Sequence, residues 1–139
     1  MAPDDPSYNP PPAGTTSEQA VDFANQALAG TLLEMMGMEF LEIGFARIVA
    51  RMPVAGNMQP YGLLHGGATA TLCEGLASFG TAVHAGLDKR VIGIELNVNH
   101  IRAVSEGHIT ASRSTSAVRR PYGTCGSKMT PVAWSPSAG

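Results

Sequence analysis

Residues 63–87 decide the fold: Leu63 to Leu87 read LLHGGATATLCEGLASFGTAVHAGL. The stretch begins with a His-Gly-Gly turn and continues in small and apolar residues for about five helical turns, at roughly 3.6 residues per turn. This pattern predicts one long central helix. Its one formal charge is Glu74, and a carboxylate among apolar residues is costly to bury without partners. A buried Glu74 is therefore either a chemical group or a hydrogen-bonded structural acid.

The start of the predicted helix carries groups that suit acyl transfer. Gly66 and Gly67 lie where N–H groups have no intrahelical acceptor and the backbone carries partial positive charge. Glu74 follows His65 by nine residues, and Ser78 lies four residues after Glu74, on the same helix face. N–H donors at a helix start can stabilise an oxyanion, and a carboxylate can act as base or nucleophile. Acyl transfer is thus a hypothesis that this stretch supports.

Length, charge and composition exclude several classes of protein. A chain of 139 residues is one domain by the usual size range, and its net charge of −2 argues against nucleic-acid binding. No apolar run is long and glycine-poor enough to predict a membrane span. The N-terminus lacks a basic start and an apolar signal core, so we expect a cytoplasmic protein without a membrane partner.

Metal and thiol chemistry are not expected. The four histidines lack a metal-ligand spacing, which predicts no metal site. Two cysteines, Cys73 and Cys125, are too few for a disulfide scaffold. Cys73 stands beside Glu74, but we expect it to be a small buried apolar residue rather than a nucleophile.

The residues before the central helix predict a short helix and two strands. Residues 1–16 hold five of the ten prolines and predict a disordered leader, so we place the domain at residues 17–139. Ser17 reads as the N-cap of a helix that runs to about Ala29, and a second short turn follows at residues 31–36. Residues 38–53 predict two strands with a turn or bulge near Gly44.

The residues after it predict further strands. Residues 56–64 form a Pro- and Gly-containing loop, and Val91 to Val104 alternate well enough to be the clearest strand. Residues 105–107 then predict a hairpin turn into a return strand, HITAS. The order predicts an α+β fold in which an antiparallel sheet wraps one central helix. Five small helix residues would let the sheet approach closely: Gly75, Ala77, Gly80, Thr81 and Ala82.

Several motifs, taken in order, resemble the hotdog-fold acyl-CoA thioesterases. The resemblance covers about Thr31 to Ala111 and is closest to the bacterial branch that hydrolyses aromatic acyl thioesters. That branch includes the 1,4-dihydroxy-2-naphthoyl-CoA thioesterase and the proofreading thioesterase of enterobactin synthesis. The motifs are GMEFLEIG, ARMPV, QPYGLLHGGA, the acid Glu74 and VIGIELNVNHIRAVSEG.

The resemblance implies roles for particular residues. Glu74 takes the place of the family's catalytic acid, as nucleophile or as general base on water. Gly66 lies where the family's helix-start N–H binds the thioester oxygen, and Gln59 matches a glutamine that approaches the thioester or the water. Each has another reading: a structural helix acid for Glu74, tight packing for Gly66 and an ordinary loop side chain for Gln59.

Four further residues complete the implied site. His65 matches a histidine that assists orientation or the departing thiolate, although it could simply cap the turn. Ser78 matches a hydroxyl that holds the water, although it could be a small packing residue. Gly67 and His100 are the implied substrate contacts, with tight packing and a satisfied strand histidine as their other readings.

The implied activity is hydrolysis of an acyl-CoA, with an aromatic acyl group, to a carboxylic acid and CoA. No cofactor is implied, and an acyl carrier protein could replace CoA. Family members are dimers or dimers of dimers with sites between subunits, so Gln59 and Glu74 of one site could come from different chains. One alternative is a hotdog protein that binds acyl thioesters without turnover. Another is a dehydratase or hydratase, against which the matches at Gln59 and Glu74 argue.

The resemblance ends near Ser112. Family members continue with a motif like Pro-Leu-His-Leu-Gly-Arg and a Trp-bearing strand, whereas residues 112–139 are rich in Ser, Pro and Gly. We therefore expect the C-terminal strands to be incomplete. One hypothesis is a shifted reading frame, because suitable GC-rich codons for residues 112–116 give Pro-Leu-His-Leu when shifted. The coding DNA sequence tests this hypothesis.

Overall fold

The computed structural model describes residues 17–44, 46–85, 91–114 and 133–134. The predicted leader, Cys125 and nearly all of the atypical tail lie outside these residues. No helix in the described part is long and apolar enough to cross a bilayer. The elements in chain order are α1 (Ser17–Gln26), α2 (Leu32–Met35), β1 (Glu39–Ile43), β2 (Arg47–Pro53), α3 (Gly66–Ala85), β3 (His108–Ser114) and β4 (Ala133–Trp134).

The four strands form one antiparallel sheet in the order β1-β2-β3-β4. Gly44 directly follows β1, and its N–H donates to the carbonyl of Arg47, the first residue of β2, at 2.9 Å. This confirms the predicted pair of strands and the turn at Gly44. The β2–β3 pairing runs without interruption from Arg47 opposite Ser114 to Pro53 opposite His108, so the two strands form the most regular part of the sheet.

The long helix α3 packs on β2 and β3 through its apolar residues. Leu72 is fully buried, as are Ile48 and Met52 of β2. Gly80 is one reason for the close approach, because a Cβ at this position would lie 3.2 Å from Ile48 Cδ1. The predicted α+β arrangement of a sheet against one helix is therefore confirmed, with the helix starting at Gly66.

The helix α1 is attached to β1 by side chain-to-backbone hydrogen bonds. Asn25 Nδ2 donates to the Phe40 carbonyl at 3.1 Å, and Asn25 Oδ1 accepts the Phe40 N–H at 2.7 Å. The Ser17 hydroxyl donates to the Ile43 carbonyl at 3.2 Å. The predicted helix to Ala29 is three residues shorter than expected, because α1 ends at Gln26 and turns lead to Gly30, whose φ is +72°.

The prediction of a strand at Val91–Val104 is wrong, since no strand is found between residues 91 and 105. Ile92 is 83% exposed and Ile94 is 99% exposed. The predicted hairpin between this segment and the HITAS strand is also wrong. The HITAS residues do lie in a strand, β3, but that strand pairs with β2 and β4. An alternating pattern specifies two faces of a strand, but it does not supply the neighbour that must provide the hydrogen bonds.

Candidate active site

The loop before α3 is a closed hairpin-like structure that ends at the helix start. The Gln59 N–H donates to the Leu63 carbonyl at 2.7 Å, and the His65 N–H donates to the Asn57 carbonyl at 2.9 Å. The tip is a turn in which the Gly62 N–H donates to the Gln59 carbonyl at 3.1 Å, with a Pro in its second position as such turns favour. This geometry places Gln59 beside the first turn of α3.

His65 caps the helix, which is the simpler of its two readings. Its Nδ1 accepts the Gly67 N–H at 2.9 Å, so a neutral ring carries its proton on the exposed Nε2. The Gly66 N–H meets no acceptor within the described part of the chain. The cap therefore satisfies one helix-start donor and leaves the neighbouring donor open.

The imidazole of His100 lies beside Gly66. A Cβ at Gly66 would lie 3.0 Å from His100 Nε2, closer than an ordinary van der Waals contact. A hydrogen bond from the Leu64 N–H to the Val104 carbonyl, 2.7 Å long, holds the segment that carries His100 against the helix start. Gly66 is thus a position where the absence of a side chain permits a close approach.

A cavity of about 440 Å³ lies at the helix start, within the usual size range of ligand pockets. Gln59, Gly66 and His100 all contribute to its lining, so the structure brings these three predicted residues together. Thr69 and Arg102 also line it, and neither was predicted to have a role. The sequence spacing could have indicated that both residues lie near the site. Thr69 lies one helical turn after Gly66, and Arg102 lies two residues after His100.

Glu74 and Ser78 form a separate pair on α3. The Ser78 hydroxyl donates to Glu74 Oε1 at 2.9 Å, as their shared face predicts. Glu74 is exposed in the single chain, so its carboxylate does not pay the cost of burial there. This face of α3 points away from the sheet and towards the 91–105 segment, where a Cβ at Gly93 would lie 3.1 Å from Glu74 Oε1.

The two groups of predicted site residues are far apart along the helix. Gly66 and Glu74 are eight residues apart, which is about 12 Å along the axis at roughly 1.5 Å per residue. Ser78 holds the Glu74 carboxylate from the following turn, on the side away from Gly66. The structure of one chain therefore brings Gln59, Gly66 and His100 together, but it does not bring Glu74 and Ser78 to them.

Cys73 belongs to the core rather than to the site. Its side chain is buried, as predicted, and this burial raises the pKa of its thiol above the ordinary value of 9.0. A protonated thiol is a poor nucleophile. Among the described residues, no three His, Cys, Asp or Glu side chains gather as metal ligands would.

Comparison with known proteins places this geometry in a family. The model of the thioesterase superfamily matches residues 61–126. An inferred esterase of Deinococcus radiodurans is 47% identical over 92 residues, which are 66% of this chain and 58% of that protein. The 1,4-dihydroxy-2-naphthoyl-CoA hydrolase of Escherichia coli is 36% identical over 58% of this chain and 60% of its own length. The chain spans about 60% of the length of such curated relatives.

Solved structures agree with the sequence comparisons. A mutant thioesterase of Pseudomonas aeruginosa has a TM-score of 0.65 at 29% identity, covering 68% of this chain and 69% of that one. A mutant thioesterase of Staphylococcus aureus has a TM-score of 0.57 at 35% identity, covering 60% of this chain and 70% of that one. The resemblance in the motifs is confirmed by these matches. The chain belongs to the thioesterase superfamily, and its sheet and central helix are the hotdog fold of that family.

Proposed function

We propose that this chain hydrolyses an acyl-CoA thioester, with an aromatic acyl group, to a carboxylic acid and CoA. The observation that carries the proposal is the open Gly66 N–H at the start of α3, in a cavity that Gln59 and His100 also line. Membership of the thioesterase superfamily supports the reaction class. The matched 1,4-dihydroxy-2-naphthoyl-CoA hydrolase supports an aromatic acyl-CoA as substrate.

The Gly66 N–H is the oxyanion donor in this proposal. It lies at the positive end of a 20-residue helix, so both its hydrogen bond and the helix dipole favour negative charge on the thioester oxygen. Gln59 binds the thioester or the attacking water, and His100 and Gly67 contact the substrate. The exposed Nε2 of His65 donates towards the departing thiolate.

Glu74 supplies the attack, and two routes remain open. As general base it takes a proton from water, whose oxygen then bonds to the carbonyl carbon. As nucleophile it forms an anhydride, which water hydrolyses. In both routes the C–S bond breaks and the CoA thiolate gains a proton, while Ser78 orients the carboxylate or the water. The Staphylococcus aureus relative has been solved with alanine replacing a glutamine and, separately, a glutamate fifteen positions later, the same separation as Gln59 and Glu74.

Each complete site needs two chains. A thioester carbonyl that touches both groups requires a hydrogen bond of about 2.9 Å from Gly66 and a contact of about 3.3 Å to the attacking oxygen. Glu74 lies about 12 Å farther along the helix of the same chain. We therefore place Glu74 and Ser78 of one chain opposite Gln59 and Gly66 of a second, in a homodimer or homotetramer. The exposed Ile92 and Ile94 give such an assembly apolar surface to bury.

The test is thiol release from benzoyl-CoA by the purified chain and by its Glu74→Gln variant. The proposal expects wild-type turnover and a loss of at least about 100-fold in kcat for the variant. Glu106→Gln is the matched control, since it removes an exposed carboxylate outside the site. Equal turnover by Glu74→Gln and wild type would remove Glu74 from the mechanism. A thioester of an acyl carrier protein, tested alongside benzoyl-CoA, shows whether the protein uses CoA or a carrier protein.

One observation favours a second candidate, a hotdog protein that binds acyl thioesters without hydrolysing them. The sheet ends at the two-residue β4 in the described part, and residues 91–105 have no strand partner there. A non-hydrolysable benzoyl-CoA analogue distinguishes the candidates. Binding by a folded protein that releases no thiol from any acyl-CoA favours the binding protein.

A further inference from the structure

Asn57 joins three parts of the chain at the base of the loop before α3. Its side-chain Nδ2 donates to the Met36 carbonyl at 2.7 Å, in the turn after α2, and to the Pro53 carbonyl at 2.9 Å, at the end of β2. Both amide protons are therefore used. The backbone carbonyl of Asn57 accepts the N–H of His65, the residue directly before α3, at 2.9 Å. The side chain is half-buried, so these bonds are partly shielded from water.

This arrangement makes the helix start depend on Asn57. Residues 57–65 form the loop, and the bond from His65 to Asn57 closes its base. Gln59 lies within the loop and Gly66 directly follows it, so the positions of two cavity-lining residues depend on how the base of the loop is held. Rotation or loss of the Asn57 side chain would remove the bonds to Met36 and Pro53 and leave the base of the loop held by the bond from the Asn57 N–H to the Val54 carbonyl.

We propose that Asn57 is the positioning residue of this site: by fixing the base of the 57–65 loop, it holds the Gly66 N–H and Gln59 in the arrangement that the thioester requires. The inference rests on the proposed function and adds a residue that touches no reacting atom. A displacement of about 1 Å at such a site is enough to lower the rate about 100-fold. The effect falls on kcat rather than KM, because the oxyanion forms only during the reaction.

The sharpest variant is Asn57→Asp, which keeps the shape of the side chain. Its carboxylate has no proton to donate and faces two carbonyl oxygens, whereas the protonated acid can donate to one of them. We expect kcat to fall about 30- to 100-fold near pH 8, with KM within about threefold. The deficit relative to wild type should shrink as pH falls to about 5. Equal deficits at both pH values would overturn the inference.

Asn25→Ala is the matched control for stability. Asn25 is also half-buried and also bonds only to backbone atoms, but its partner is Phe40 between α1 and β1. Rates are compared per folded molecule, at a temperature where circular dichroism finds every variant folded. We expect Asn25→Ala to keep the wild-type kcat, whatever its melting temperature. A loss of kcat equal to that of Asn57→Asp would mean that both residues act only on stability.

Amide hydrogen exchange separates this inference from the proposed function. The His65 amide donates to the Asn57 carbonyl and should be protected in wild type. In Asn57→Asp we expect it to exchange at least about tenfold faster than in Asn25→Ala at matched global stability. Unchanged exchange overturns the positioning role even if the enzyme is active. Faster exchange in a protein that hydrolyses no thioester supports the anchor and rejects the proposed function.

Discussion

Replacing Gly66 by alanine should lower activity clearly and stability only slightly. The new Cβ would lie 3.0 Å from His100 Nε2 and 3.3 Å from its Cε1, where ordinary contacts begin at 3.4 Å. The imidazole must therefore retreat by about 0.4 Å, and overpacking of this kind costs about 1–3 kcal/mol. We expect the stability cost to lie in the lower part of this range, because the ring is exposed and can yield. The displaced imidazole also changes the cavity around the oxyanion donor, and we expect kcat/KM to fall about 5- to 30-fold, which corresponds to about 1–2 kcal/mol of transition-state stabilisation. Alanine favours the helix over glycine by at most about 0.5–1 kcal/mol, which offsets only part of the stability cost, so Tm should fall slightly.

A double-mutant cycle with His100→Ala isolates the cause. Removing the ring removes the clash, so Gly66→Ala should change kcat/KM by less than about twofold in the His100→Ala background. The assay is thiol release from benzoyl-CoA, with thermal unfolding measured on the same samples. Full activity of Gly66→Ala would refute the close contact. The same loss in both backgrounds would refute the role of His100 in it.

Two further predictions concern residues of α3. Ser78→Ala removes the hydroxyl that donates to Glu74, and we expect kcat to fall about five- to tenfold with little change in Tm. An unchanged kcat would mean that the hydroxyl takes no part in the reaction. Burial raises the pKa of the Cys73 thiol in the folded chain, so the stability it contributes is full below the unfolded pKa, near 9.0, and declines as pH rises above it. Thermal unfolding between about pH 8 and pH 10 should therefore show a smaller decline of Tm for Cys73→Ala than for wild type; parallel curves would contradict this.

The elements with local signals were predictable from the sequence. The two strands around Gly44 follow from β-forming residues on both sides of a turn, and α3 follows from a long run of small and apolar residues. Gln59 and Gly66 come together because a short loop and one helix start are local features, whereas His100 reaches them through a long-range contact of the 91–105 segment. The position of His65 directly before the helix also allowed the prediction that it caps the helix.

The parts that depend on distant neighbours were not predictable. Val91 to Val104 has the pattern of a strand, but a strand also needs a partner, and the pattern does not name one. The exposure of Glu74 depends on which face of α3 meets the sheet. Because α3 is apolar on most sides, its sequence does not show which face that is. The role of Asn57 was not predictable, because it depends on hydrogen bonds to the carbonyls of Met36 and Pro53. The sequence does not show that these two carbonyls lie close together.

Mixing two inactive variants tests the two-chain site most directly. One variant is Glu74→Gln and the other Gln59→Ala, and each keeps the group that the other lacks. If subunits exchange freely in a dimer, half of the dimers are mixed and each has one intact site, so the mixture should recover about a quarter of wild-type activity. If Gln59 and Glu74 act within one chain, no intact site can form. A mixture that stays as inactive as its components, after exchange has been verified, would contradict the account.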